Sequence, residues 1–168
     1  MAEGGPGEKC LLWKADQVRK NVSFPDLSSL SCHRGSISIN CRAYLTICIY
    51  RLLKSDRTEE ENFLNYVSGW LIEILQAAAL IADDIMDNSE MRRGAPCWFR
   101  NPDVGMNAIN DAFMLENTAY FLLLKYFLGE DNFIKMLQLV NENVIRTVLG
   151  QSLDLKMAAG DAGPNFER

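Results

Sequence analysis

Three aspartates and two arginines carry the chemistry that this sequence offers. The run Leu75 to Gly94 reads LQAAALIADDIMDNSEMRRG. Asp83 and Asp87 are four residues apart and Asp84 and Asp87 three apart, so on a helix the three carboxylates share one side. They sit at the C-terminal, partially negative end of the apolar run, where anions are disfavoured. Nothing within the run itself offsets them, since Arg92 and Arg93 follow only after the helix has begun to turn. A solvated acidic helix end is the bland reading of such a set. A hard divalent cation is the functional one, because Mg²⁺ takes carboxylate oxygens and leaves positions open for phosphate oxygens. With guanidinium forks on the other side, metal and arginines would together clamp a diphosphate.

Five helices are expected to position these groups. Leu11 to Asn21 is a short candidate, inside an N-terminal segment (residues 1–35) that reads as poorly ordered because glycines, Pro6, Pro25 and a serine cluster break any period. Residues 36–168 read as one helical domain. Within it Ile37 to Leu53 is apolar and long enough for a helix. Thr58 to about Asp87 is the central helix. It opens on a Thr58–Glu61 capping box and carries apolar residues from Phe63 to Ile81 at helical spacing. Glu73 and Gln76 are its polar exceptions. Gly94 and Pro96 are read as the helix stop, with Trp98 and Phe99 covering the core edge. Met106 to Leu128 is the next helix. Asp131 is a plausible N-cap for the last, Asn132 to about Met157.

Composition narrows the classes. The 168 residues are 48% hydrophobic and 23% charged, ordinary for a globular domain. A net charge of −5 without a basic stripe argues against nucleic-acid binding. The five cysteines are odd in number and contain no CxxC, which indicates neither a zinc site nor a disulfide framework and suits a reducing compartment. One histidine, His33, leaves little room for histidine-based metal sites. Leu71 to Ala82 is the most apolar stretch, but it is short and carries Glu73, so no membrane span is expected. The N-terminus lacks the apolar core of a signal peptide. The cytoplasm is the expected location.

The ordered blocks resemble a known family. DDIMD four residues before RRG, then APCWFRNPDVGMNAIND, is similar to the first aspartate-rich region of the trans-prenyltransferases (polyprenyl synthases), nearest to their farnesyl-forming members. LLKSDRTEEE at Leu52 to Glu61, the Gly69–Trp70 to Gln76–Ala77 turn, and GQSLDL at Gly150 to Leu155 fit the same order. The likeness covers about Tyr50 to Asp161, about two thirds of the chain.

The resemblance implies an all-α isoprenoid-synthase bundle, here partial, with about five helices of a usual ten or so. It implies head-to-tail condensation of isopentenyl diphosphate with an allylic diphosphate (dimethylallyl or geranyl), with Mg²⁺ as cofactor. Asp83 and Asp87 would hold the metal and Asp84 would orient it. Arg92 would grip the leaving diphosphate, Arg93 and Gln76 the isopentenyl diphosphate. Gln151 and Asp154 would face the diphosphate from the GQ-x-x-D-L element. Arg34, in Ser31-Cys32-His33-Arg34-Gly35, would be the tail of a Gly-Gly-Lys-x-x-Arg-Gly motif whose lysine and first glycines are missing here. Ala78 and Ala79, five and four positions before Asp83, stand where farnesyl-forming relatives carry tunnel-blocking aromatics, and so imply a product longer than fifteen carbons. The family's second aspartate-rich motif does not follow Asp87 in this sequence. The alternative is therefore a catalytically inactive fragment or isoform that associates with a full-length synthase through the Met106–Leu128 helix. A homodimer through that helix is the family expectation. A class I terpene cyclase shares DDxxD chemistry, but the Arg92-Arg93-Gly94 clamp argues against it.

Overall fold

The computed structural model describes residues 41–158 and Gly160. Arg34, the Leu11–Asn21 helix and the 35/36 boundary lie outside the described residues. Among the described residues four long helices carry the fold: α1 (Cys41–Leu53), α2 (Glu59–Met86), α3 (Ala108–Phe127) and α4 (Phe133–Ala158). Between α2 and α3 lie two-residue strands β1 (Met91–Arg92) and β2 (Ala95–Pro96) and two 3-10 turns, Trp98–Arg100 and Gly105–Asn107. The chain divides into two compact units at Leu128/Gly129, each taken by itself below.

In the first unit α2 is the spine. Its N-terminus is fixed by the expected capping box. Glu61 N–H donates to Thr58 Oγ1 at 3.2 Å and Thr58 N–H donates to Glu61 Oε2 at 3.0 Å. One stripe of α2, Asn65–Gly69–Glu73, faces α1. Gly69 lets the helices approach closely, since a Cβ there would lie 3.2 Å from the Ala43 carbonyl oxygen. The two buried polar residues of the stripe are both satisfied. Glu73 Oε1 accepts the Ala43 N–H at 3.0 Å, and Asn65 Nδ2 donates to the Ile47 carbonyl at 3.3 Å. Glu73, a polar exception in the sequence, is therefore a tie between helices.

The α3 core follows a helical stripe of Ala108, Leu115, Ala119, Leu123 and Phe127, all buried. It packs on α2 together with Val67, Leu71, Ile74, Ala78 and Ile81. Each large side chain of this set contributes about 1.5–3 kcal/mol by leaving water. Phe63 of α2 meets Tyr126 of α3 edge to face, with centroids 5.3 Å apart. By length and composition α2 is the one described helix that could cross a membrane, which the sequence reading did not expect. Its buried faces are taken by α1 and α3.

In the second unit, α4 begins one residue later than Asn132. The Met136 N–H donates to the Asn132 carbonyl at 3.0 Å, which makes Asn132 rather than Asp131 the residue that opens the helix. Phe133 is its buried residue, and Ile134, Leu139, Ile145, Val148, Leu149 and Met157 are exposed.

Candidate diphosphate and metal site

The helix α2 ends near Asp87, as expected, though Gly94 and Pro96 are not what ends it. It stops at Met86 with Asp87 as C-cap, in a Schellman arrangement: Ser89 N–H donates to the Asp84 carbonyl (2.9 Å) and Asn88 N–H to the Ile85 carbonyl (3.2 Å). Asn88 takes the left-handed position, φ 51°. The chain then turns again. Arg92 pairs with Ala95 across β1 and β2, and the two residues between them, Arg93 (φ 56°) and Gly94 (φ 82°), both lie at positive φ. That is the geometry of a primed hairpin turn. Glycine takes such a position freely, whereas Arg93 is strained there.

The hairpin folds Arg92 back over the helix end. Arg92 Nε donates to Asp84 Oδ1 at 2.7 Å and Nη2 to Asp83 Oδ2 at 2.8 Å. Nη2 also lies 2.7 Å from Asp84 Oδ1. The sequence reading that nothing nearby offsets the acidic set is therefore corrected. The neutralising cation comes from beyond the helix, delivered by a reversal that helical periodicity does not reveal. Partial burial works against the charge on Arg92. The hydrogen bond and charge of Asp84, then the charge of Asp83, outweigh it and raise the guanidinium pKa above its ordinary value.

The three carboxylates have different surroundings. Asp84 is 4% exposed, paired with Arg92, and hydrogen-bonded to the thiol of buried Cys97, whose pKa is raised by burial first and by Asp84 second. Asp83 is half-buried and Asp87 exposed. The side chain of Asp87 makes no ion pair with any described residue. Gln76, Ala79, Asp83 and Asp87 follow one another at helical spacing along a single stripe of α2, none of it fully buried. Ala78 lies off this stripe and is buried at 7% exposure, so the structure separates the two alanines of the chain-length pair. Arg93 is exposed at the hairpin tip and does not join the Arg92 cluster.

The donor set suits a hard cation. Asp83 and Asp87 offer carboxylate oxygens on the open stripe, which matches the one or two carboxylates Mg²⁺ takes alongside water and phosphate. Asp84 does not fit as a ligand, being buried and engaged. No group of three or more His, Cys, Asp or Glu arranged to cage a metal occurs among the described residues.

In the second unit Gln151 and Asp154 are one turn apart on α4, half-buried and exposed respectively. Gln151 Nε2 is shielded from solvent and has no hydrogen-bond partner among the described residues.

Residues the sequence reading passed over complete the surroundings. Arg100 donates from Nε to the Ser89 carbonyl (3.1 Å) and from Nη2 to the Asn88 carbonyl (2.9 Å) and Asn88 Oδ1 (2.6 Å). Trp98, read as packing only, also donates from Nε1 to Asp111 Oδ2 at 3.0 Å. The signal for the first was present in Asn88, since asparagine after a helix end is a common left-handed cap. Spacing alone gives no signal for Cys97 or Asp111.

Comparison with known proteins agrees with this architecture. The polyprenyl synthetase family model matches residues 38–167. The chain belongs to the polyprenyl synthetase family. It is 44% identical over 150 residues to the farnesyl pyrophosphate synthase of Schizosaccharomyces pombe, covering 85% of this chain and 43% of the relative. It is 47% identical over 114 residues to the bifunctional chrysanthemol synthase of Tanacetum cinerariifolium, a chloroplastic protein, covering 67% of this chain and 29% of the relative. The crystal structure of the T. brucei farnesyl diphosphate synthase superposes with a TM-score of 0.72 at 29% identity, covering 98% of this chain and 45% of that one. The same enzyme has been solved with a bisphosphonate, TM-score 0.70. The fold is the all-α isoprenoid-synthase fold, and this chain spans less than half the length of the relatives it matches.

Proposed function

We propose that this chain carries the first aspartate-rich region of a farnesyl diphosphate synthase-like prenyltransferase, one that condenses isopentenyl diphosphate with dimethylallyl or geranyl diphosphate. The single observation that carries this reading is the Asp83–Asp87 stripe with Arg92 folded against its upper end. The T. brucei relative solved with a bisphosphonate supports it, since two linked phosphonates share the charge and spacing of a diphosphate.

Asp83 and Asp87 are the residues that would hold Mg²⁺, which when bound supplies positive charge to diphosphate oxygens. Arg92 presents a guanidinium fork at the same place, so the negative charge that grows as the allylic C–O bond breaks falls on prearranged N–H donors. The alkene of isopentenyl diphosphate then attacks the allylic carbon, and a proton is lost from the new bond's neighbour. Gln76, two turns below Asp83, and Arg93, at the hairpin tip, are the residues proposed to hold that second substrate. By the family likeness Gln151, whose Nε2 has no partner among the described residues, and Asp154 would contact diphosphate, and Arg34 isopentenyl diphosphate. Ala79 on the open stripe leaves room for an alkyl tail, which favours a product longer than fifteen carbons. The cytoplasm is the proposed location, in keeping with the free thiols of Cys41, Cys48 and Cys97.

A second reading has an observation of its own. Ile109, Phe113, Phe121 and Leu124 of α3 are exposed at 41–62%, an apolar face suited to a homodimer or to pairing with a full-length synthase. In that reading the chain binds Mg²⁺ and diphosphate without turnover.

Product analysis of the purified chain, alone and mixed with a full-length synthase, separates the two. Prenyl products from the chain alone support the enzyme. No product alone, with co-elution and altered output in the mixture, supports the partner. No product and no association would overturn both.

A further inference from the structure

We infer that Arg100 is a positioning residue for the diphosphate clamp: it locks the Asn88–Ser89 turn, so that the following hairpin delivers Arg92 onto Asp83 and Asp84. The inference rests on the proposed reading of Asp83, Asp87 and Arg92 as a diphosphate site.

Arg92 meets the aspartates only because the chain reverses twice within a few residues. Both reversals use a non-glycine residue at positive φ, Asn88 at 51° and Arg93 at 56°. Such positions are unfavourable for arginine and only mildly so for asparagine, and a particular turn persists there where its surroundings hold it. At the first reversal Arg100 provides that hold. Its fork takes the carbonyls of Asn88 and Ser89 and the Asn88 side-chain oxygen together. These carbonyls lie just past the negative end of α2, where a cation is favoured.

Arg100 is itself held. Its guanidinium lies over the Phe99 ring, 4.5 Å from the centroid. Its backbone N–H donates to the Cys97 carbonyl at 2.9 Å within the 3-10 turn. The Trp98 indole of that turn is tied to Asp111 of α3. A continuous tie thus runs from α3 through the Trp98 turn and Arg100 to the Asn88 turn. The hairpin is closed from the same side, because Cys97 N–H donates to the Glu90 carbonyl at 3.1 Å. Arg100 is exposed, so core packing does not account for it. A lysine could reach one carbonyl but lacks the planar fork that spans both.

The test uses the full chain and three variants, Arg100→Ala, Arg100→Lys and Asn88→Gly, with Asn88→Gly also combined with Arg100→Ala. Calorimetry reads affinity for inorganic pyrophosphate with Mg²⁺, and amide hydrogen exchange reads the hairpin through the Cys97 N–H. Arg100→Ala is expected to lower affinity about tenfold, less than the roughly hundredfold that a 1 Å misplacement of a reacting group can cost in rate. Exchange at Cys97 should quicken while exchange in the α3 core around Leu123 stays slow. Arg100→Lys should recover part of the affinity. Asn88→Gly eases the left-handed turn and removes the Asn88 Oδ1 that Arg100 holds, so adding Arg100→Ala to it should cost less than Arg100→Ala alone. Unchanged affinity and unchanged Cys97 exchange in Arg100→Ala would overturn the inference, as would exchange that quickens equally around Leu123. Should the unsubstituted chain fail to bind pyrophosphate with Mg²⁺, the diphosphate reading falls, and Cys97 exchange still decides whether Arg100 holds the hairpin.

Discussion

Replacing Asp84 and Asp87 one at a time by asparagine should give opposite phenotypes, although the two sit three residues apart in one motif. Asp84 is 4% exposed, and its Oδ1 takes both the Nε and Nη2 of Arg92 at 2.7 Å. Breaking a fully buried pair costs about 3–5 kcal/mol, and losing a surface pair about 0–1 kcal/mol. Arg92 lies between these limits, because its side chain is 33% exposed and keeps Asp83 at 2.8 Å. Asp84→Asn should therefore cost about 2 kcal/mol, a fall in Tm of about 4–8 °C for a chain of this size. It should keep metal-dependent pyrophosphate binding, weakened severalfold as Arg92 loosens. Asp87 is exposed and unpaired among the described residues, at a helix end that disfavours anions. Asp87→Asn should leave stability within about 0.5 kcal/mol and lower metal-dependent binding more than tenfold. Thermal unfolding by circular dichroism and calorimetric titration with magnesium pyrophosphate read the two effects separately. A large Tm loss in Asp87→Asn with none in Asp84→Asn, or binding that survives Asp87→Asn and disappears in Asp84→Asn, would refute the division of roles.

Further outcomes are expected. The Cys97 thiol is raised by burial and by Asp84, so the folded chain holds its proton more tightly than the unfolded one. That contribution is present in full below the ordinary thiol value of 9.0 and is lost as pH rises from there through the raised folded value. Cys97→Ser replaces the thiol by a hydroxyl donor that does not titrate in this range, so the loss of Tm above that pH should be shallower than in the parent; parallel curves would contradict this. Gly69→Val places methyl groups against the Ala43 backbone, where even a Cβ would lie 3.2 Å from the carbonyl oxygen, and should cost about 2–3 kcal/mol in urea unfolding. Ala78→Phe should destabilise by about 1–3 kcal/mol because Ala78 is buried. Ala79→Phe, on the open stripe, should be nearly neutral in stability and shorten the product of an active assembly. Thr58→Ala removes the capping box at the start of α2 and should cost about 1 kcal/mol.

The parts of the fold legible in the sequence are those governed by local rules. The capping box of Thr58 and Glu61, the long apolar period of α2 and the α3 and α4 helices follow from spacing and side-chain chemistry, and the structure places them within a few residues of the expected bounds. The end of α2 near Asp87 was legible as well, but its cause was not, because Gly94 and Pro96 are the usual breakers. The actual stop is the left-handed Asn88, and the glycine serves the next turn instead. Strands two residues long have no period to detect. The Arg92 bridge depends on that hairpin, so the neutralised state of Asp83 and Asp84 was hidden from a reading along the helix alone. Glu73 and Gln76 looked alike as polar interruptions. They differ because Glu73 lies toward α1, where the Ala43 N–H meets it, whereas Gln76 lies on the stripe that α1 and α3 leave open.

The most direct measurement is calorimetric titration of the full chain with pyrophosphate, with Mg²⁺ and with excess chelator, repeated for Asp83→Asn and Asp87→Asn. The account predicts saturable binding only when Mg²⁺ is present, lost in both variants while their melting curves show a folded chain. Binding of equal strength in chelator, or undiminished in both variants, would contradict the assignment of Asp83 and Asp87 as the metal-bearing carboxylates.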